Sequence, residues 1–239
     1  MKIHHNKTKI IATWGPSCED KKVMTEMIKS GLDLFRFNFS HGTHEKHLEG
    51  FKKVRQITTE LEASIGILAD LQGPKIRVGK VLDNNQPLKA GHTITITTEE
   101  CISTSERVFI SYENLAKEVE VGDAILIDDG RMELRVTSTD RDRTLEAKVI
   151  TGGKLSNNKG VNLPDTKTKV PALTEKDKED LKFAIEHGAN WIALSFVRTA
   201  KDVLDLKKII GEKNSYMKVM AKIEKPEALT ELDEIIDAA

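Results

Sequence analysis

Lys222 and Glu224 stand two residues apart in the stretch KVMAKIEKPE (residues 218–227), where an apolar run ends in two charged side chains. In an extended strand, residues two apart share a face, so the pair projects together while Ala221 and Ile223 turn away. Pro226 follows at a position suited to the first turn of a helix, which places the pair at the end of a strand just before the chain turns. A lysine beside a carboxylate at the mouth of a buried strand suits a metal together with a phosphate or an enolate. Taken alone, the same two residues more often make a rim salt bridge of little energetic value. The elements that would position them have to decide.

Those elements alternate. KIIAT (9–13) is a short apolar run ending at Gly15-Pro16, and Ser17 and Asp20 form an S-x-x-D capping pattern for a helix that ends at Ser30-Gly31. In the next strand, within residues 32–39, Leu34, Arg36, Asn38 and Ser40 share one face and Phe35, Phe37 and Phe39 the other. Three aromatics demand burial, so the polar row is expected to line a cavity or a barrel interior. A helix over about 43–63 and a strand IGILADL (65–71) follow. From Ile76 to Val170 the texture changes to short alternating runs punctuated by turns such as Asp129-Gly130 and Gly152-Gly153, the pattern of a small β-barrel or sandwich with one helical stretch, 112–118. The βα rhythm then resumes. Thr174 and Asp177 open a helix, WIALSF (191–196) is the fourth strand, Thr199 and Asp202 cap the next helix, and the fifth strand is 218–223.

Five βα units with an all-β insertion after the third strand predict an α/β fold, an incomplete (β/α)8 TIM-type barrel, rather than a dinucleotide-binding sheet, since no G-x-G-x-x-G follows any strand. The expected division is 1–74 and 171–239 for the barrel part and 75–170 for the insert. A closed barrel needs eight units, so the chain reads as truncated, with its first and fifth strands as sheet edges. With 37 Lys+Arg against 38 Asp+Glu and 38% apolar residues, no global charge attracts nucleic acid or membrane. Two widely spaced cysteines, Cys18 and Cys101, with no signal or membrane-spanning run, point to a soluble protein of the reducing cytoplasm.

In barrels of this type, functional groups sit at the C-terminal strand ends. Here those ends offer Arg36, Asn38, Ser40 and His41, then Asp70, Lys75 and Arg77, then Ser195 and Arg198, and finally Lys222 and Glu224. Cations dominate, and Glu224 is a hard-oxygen ligand for Mg²⁺. That inventory fits holding a phosphorylated substrate and spreading the charge of a transferring phosphoryl group. His41, His44 and His47 recur every three residues, but with Lys46 among them an exposed helix start is favoured over a zinc site. Trp14 reads as packing and Cys18 as structural.

The segments TKIIATWGPS, FRFNFSHG, LADLQGPKIR, ILIDDG, NNKGVNLP, LSFVR and AKIEKPE, in this order and nearly end to end, resemble the pyruvate kinase family. The resemblance implies a barrel A domain interrupted by a mobile B domain that closes over the active site. It also implies phosphoryl transfer from phosphoenolpyruvate to ADP, yielding pyruvate and ATP in glycolysis, with Mg²⁺ or Mn²⁺ as cofactor and a homotetramer as the full-length form. By motif position, Lys222 resembles the lysine that stabilises the transferring group and the enolate, Arg36 the arginine on the transferred phosphate, and Glu224 a divalent-metal ligand. His41, Arg77 and Lys159 resemble nucleotide contacts, as do Asp128 and Asp129 of the insert. Asn38, Ser40 and Asp70 match the monovalent-cation region. Leu71-Gln72 and Lys75 depart from the K⁺-dependent pattern there, which makes Lys75 a K⁺ surrogate and K⁺ unnecessary. With one metal carboxylate of two, the chain is expected to be a fragment inactive by itself. The alternative is a short non-enzymatic protein that binds nucleotide or phosphate, or a kinase partner.

Overall fold

The computed structural model describes residues 7–166, 168–211, 214 and 216–239. It divides into two compact units, Met1–Pro74 with Pro171–Ala239, and Lys75–Val170.

The first unit begins with β1 (Ile11–Thr13), α1 (Lys21–Lys29), β2 (Leu34–Asn38), α2 (His44–Glu60) and β3 (Gly66–Asp70). Asp20, not Ser17, caps α1, its carboxylate accepting from the Lys22 and Val23 amides. The acidic residue of the sequence pattern is thus the cap itself. Thr43 caps α2. β2 alternates as the sequence requires, with Phe35, Phe37 and Phe39 buried and Leu34, Arg36 and Asn38 half-buried on the other face. Gly50 lets α2 press onto this strand, for a Cβ there would lie 2.4 Å from Phe37 Cε1 and 3.0 Å from Trp14 Cε2. Trp14 is itself buried and stacks on Phe37 at 5.2 Å.

The insert contains β4 (Gln86–Leu88), β5 (Thr93–Thr97), β6 (Arg107–Phe109), α3 (Leu115–Glu118), β7 (Ala124–Ile127), β8 (Met132–Thr139), β9 (Thr144–Thr151), β10 (Gly153–Leu155) and β11 (Val161–Asn162). Six strands form one sheet in the order β11-β7-β8-β9-β5-β6, and β10 pairs with β4. Its inward side chains, among them Ile96, Ile110, Leu115, Ile125 and Leu134, make a core of their own. The helical stretch expected over 112–118 is shorter, a single turn from Leu115.

The first unit resumes with α4 (Glu175–Glu186), β12 (Trp191–Leu194), α5 (Ala200–Ile210), β13 (Lys218–Ala221), a 3-10 turn (Pro226–Glu231) and α6 (Leu232–Ala238). Thr174 with Asp177, and Thr199 with Asp202, form reciprocal capping boxes at α4 and α5. The five strands pair in parallel in the order β1-β2-β3-β12-β13, a curled, incomplete (β/α)8 barrel sheet. Phenylalanines of β2 and aliphatic residues of α1, α2, α4 and α5 fill its outer layer. Among the described residues no helix is long and apolar enough to cross a membrane.

Candidate active site

The parallel register brings Arg36 of β2, Asp70 of β3, Ser195 just beyond β12, and Lys222 just beyond β13 to the same end of the sheet. At their centre is the Asp70 carboxylate, whose side chain is only 3% exposed. Arg36 grips its Oδ2 through Nε at 2.7 Å and a terminal guanidinium nitrogen at 2.6 Å, and donates through the other terminal nitrogen to Thr13 Oγ1 at 2.8 Å. Lys222 Nζ donates to Asp70 Oδ1 at 3.1 Å and to Ser195 Oγ at 2.8 Å, while Ser195 Oγ donates to the Leu71 carbonyl at 2.7 Å. Two cations therefore share one buried carboxylate. Each keeps about a third of its side chain open, 32% for Arg36 and 28% for Lys222, so the buried anion holds them from behind while their outer faces remain free for a ligand.

Glu224 lies on the same face as Lys222, its Oε1 3.5 Å from Nζ, while its Oε2 accepts the Phe196 amide at 3.1 Å. The rim salt bridge of the isolated motif therefore exists, but the closer partners of Lys222 are Asp70 and Ser195. Glu224 is the hard-oxygen donor that suits Mg²⁺ or Mn²⁺, and it is exposed. Among the described residues no group of three His, Cys, Asp or Glu side chains stands ready to hold a metal ion. The donor set fits such a cation as one ligand and not as a complete shell.

The other residues singled out by sequence divide. Asn38 turns its Oδ1 back to the Ser40 amide at 3.1 Å, and the His41 amide bonds the Asn38 carbonyl, so these three build the turn after β2. His44 and His47 depart from the exposed helix start. The start of α2 packs on the middle of α4, where His44 Nε2 lies 2.6 Å from Asp180 Oδ1 and its ring stacks on Phe183 at 4.4 Å. His47 is buried, its Nε2 donating to the His41 carbonyl at 2.9 Å. Burial holds its pKa below the ordinary imidazole value. Lys176 Nζ completes the surroundings of the buried Asp180 at 2.6 Å. Sequence alone offered no sign that His44 joins Asp180, because the two lie 136 residues apart, whereas Lys176 is an (i, i+4) neighbour on α4.

The insert carries its own polar group. Asp128 and Asp129 both adopt left-handed backbone, the turn joining β7 to β8. Lys159 Nζ pairs with Asp128 Oδ1 at 2.8 Å and holds its carboxyl below the usual range. Arg77 donates to the Asn158 carbonyl at 3.1 Å. Lys75, at the start of this unit, is exposed.

An incomplete (β/α) barrel with cations gathered on a carboxylate at the C-terminal strand ends defines the class. Residues 5–239 match the family model described as "Pyruvate kinase, barrel domain". The chain is 45% identical over 234 residues to "Pyruvate kinase 2" of Synechocystis sp., which covers 97% of this chain and 40% of that protein. It is 43% identical to the pyruvate kinase of Corynebacterium glutamicum (96% of this chain, 48% of that protein) and 40% identical to that of Thermococcus litoralis (100% and 50%). The chain belongs to the pyruvate kinase family, and it spans about half the length of the curated relatives it matches.

Proposed function

We propose that this chain carries the phosphoryl-transfer half-site of a pyruvate kinase, which moves the phosphoryl group of phosphoenolpyruvate to ADP in glycolysis. The observation that carries the reading is the convergence of Lys222 and Arg36 on Asp70, with Glu224 beside Lys222. In the reaction the enol oxygen–phosphorus bond breaks, a bond forms from phosphorus to the terminal phosphate oxygen of ADP, and the enolate left behind takes a proton on carbon to become pyruvate. Arg36, a planar donor, fits two oxygens of the transferring phosphoryl group. Lys222, a compact charge held by Asp70 and Ser195, fits the enolate oxygen where negative charge develops. A divalent cation bound through Glu224 neutralises phosphate charge when present. His41, Arg77, Asp128, Asp129 and Lys159 are assigned to the nucleotide, the insert of 75–170 acting as the B-domain lid. Asn38, Ser40 and Asp70 form the monovalent-cation region, with Lys75 supplying the charge and K⁺ not required.

One carboxylate ligand is a weak hold on Mg²⁺, so turnover needs ligands beyond those this chain brings together, and the 239 residues alone are inactive. A cytoplasmic location and a homotetrameric full-length assembly are proposed from the family resemblance alone. Phosphorus-31 line broadening of phosphoenolpyruvate by the chain tests the reading. Binding is expected, and Arg36→Met and Lys222→Met should each reduce it by about tenfold or more, the scale of one charge-assisted contact. Unchanged binding in both variants sinks the assignment. Rapid turnover by the chain alone in a lactate-dehydrogenase-coupled assay sinks the inactivity.

A further inference from the structure

The β12–β13 ladder breaks its own rule at the site. Lys218 N donates to the Asn190 carbonyl, and Lys222 N to the Leu194 carbonyl, a matched step of four residues on both strands. In a regular parallel ladder the Lys222 carbonyl would next accept the Phe196 amide. It accepts the Val197 amide instead, at 3.3 Å. One extra residue, Phe196, has been inserted into β12's side of the pairing, a bulge, and it sits at φ 56°, in the left-handed region that a phenylalanine rarely enters. The amide thus freed from the ladder points to Glu224 Oε2 at 3.1 Å. The residue before it, Ser195, is buried and bridges the Leu71 carbonyl to Lys222 Nζ.

Gly73 backs the bulge. It too is left-handed, at φ 68°, and a Cβ on it would come within 2.9 Å of both Phe196 Cδ2 and Ser195 Cβ. Its amide is tied to the fully buried Asp177 at 2.9 Å, and Asp177 is locked by its capping box with Thr174. Strain of about 1–2 kcal/mol at a non-glycine left-handed residue persists only where surroundings enforce it.

We propose that the Ser195-Phe196 bulge is a positioning device for the Lys222–Glu224 pair. The freed Phe196 N–H fixes the rotamer of Glu224 by holding Oε2, so that only the long 3.5 Å contact of Oε1 ties the carboxylate to the ammonium and it can turn to a hard cation, and Ser195 Oγ fixes Lys222. Without the bulge, the Phe196 amide would be spent in the ladder and the carboxylate would close onto Lys222 with both oxygens. The inference rests on the reading of Glu224 as a metal ligand.

The test uses this chain and Mn²⁺, whose paramagnetic broadening of amide resonances reports weak binding without any need for turnover. Phe196 is replaced by its α-hydroxy acid, which exchanges the N–H for an ester oxygen and keeps the side chain. The same replacement at Val197 removes a neighbouring ladder bond and leaves the contact to Glu224 intact. The Phe196 ester is expected to need about tenfold more Mn²⁺ for equal broadening around residue 224, the usual cost of losing a partner that orients a metal ligand, and the Val197 ester less than twofold more. Equal responses in wild type and the Phe196 ester, or equal losses in the two esters, overturn the positioning role. Glu224→Gln separates the two levels. If it abolishes the broadening while the Phe196 ester does not weaken it, the metal reading stands and the positioning role falls. If it leaves the broadening unchanged, the metal reading falls and takes the positioning role with it.

Discussion

Replacing Asp70 by asparagine keeps the shape of the central side chain and removes its charge. In the native arrangement one 3%-exposed carboxylate faces a guanidinium at 2.6 Å and an ammonium at 3.1 Å. The amide can still accept from one of them through its oxygen, but its NH₂ must then turn toward the other cation, donor against donor. Breaking one side of a buried ion pair costs about 3–5 kcal/mol. Arg36 and Lys222 are each about a third exposed, so water screens part of their mutual repulsion, and the expected loss is about 2–3 kcal/mol. At about 3 °C per kcal/mol for a unit of this size, the Tm should fall by roughly 6–9 °C in circular dichroism or calorimetry at pH 7. The sign of the repulsion gives a sharper check. Lys222→Met added to Asp70→Asn removes one of the two unpaired cations, so the double variant should be about 1 kcal/mol more stable than the sum of the single costs implies. A Tm for Asp70→Asn within 2 °C of wild type, or strict additivity in the cycle, refutes the claim that Asp70 is the anchor on which both cations are assembled.

Gly73→Ala should cost about 3 kcal/mol, from a left-handed backbone that alanine resists and a Cβ pressed against Ser195 and Phe196; an unchanged urea midpoint would sink it. His47, buried among Phe37, Phe39, His44 and Asp180, titrates below its ordinary value of 6.5 because burial disfavours its charged form. Above about pH 6.5 it contributes nothing to the pH slope. As pH falls through 6.5 toward the lowered folded value, the unfolded chain takes up a proton the folded one refuses, and stability declines. His47→Leu should therefore flatten the unfolding free energy between pH 7 and 5, as read from urea melts, and an identical slope in the variant would contradict the burial account. In a full-length pyruvate kinase carrying this segment, Lys75→Glu should create a K⁺ requirement absent from its Lys75 parent; turnover of that parent that already collapses in K⁺-free buffer would refute the proposed surrogate role.

The parts of this architecture that were legible in the sequence are those fixed by local period. Alternation of Phe35, Phe37 and Phe39 against Arg36 and Asn38 forced a two-sided strand; Lys222 and Glu224 do come together, at 3.5 Å, but beyond the end of β13 at Ala221, which is shorter than the strand expected over 218–223. The T-x-x-D pairs at Thr174 and Thr199 announced their helices. At Asp20 the same pattern misplaced the cap, because a serine three residues upstream satisfied the motif while the aspartate satisfied the amides. What local period could not carry is which side chains meet across strands. Arg36, Asp70 and Lys222 appeared at successive strand ends as separate members of a cation-rich rim. That Asp70 would bind the other two depends on a register between β2, β3, β12 and β13 set by the whole sheet. His44 and Asp180 likewise meet only because the start of α2 is laid against the middle of α4.

The bulge at Phe196 lies further still from sequence. Nothing in LSFVR marks a left-handed residue, since glycine or asparagine would be the expected occupant of such a position. A glycine there would hold the same backbone without strain, yet it would also let the chain relax into the regular ladder and withdraw the amide from Glu224. Phenylalanine gives the bulge a side chain in contact range of the Gly73 turn, and through Gly73 the conformation is tied to buried Asp177 and the start of α4. The strain is thus held by packing on one side and used by a hydrogen bond on the other. The orientation of Glu224 beside Lys222 accordingly depends on the residues that follow β3 and β12, and on α4, as much as on the two-residue spacing of the pair.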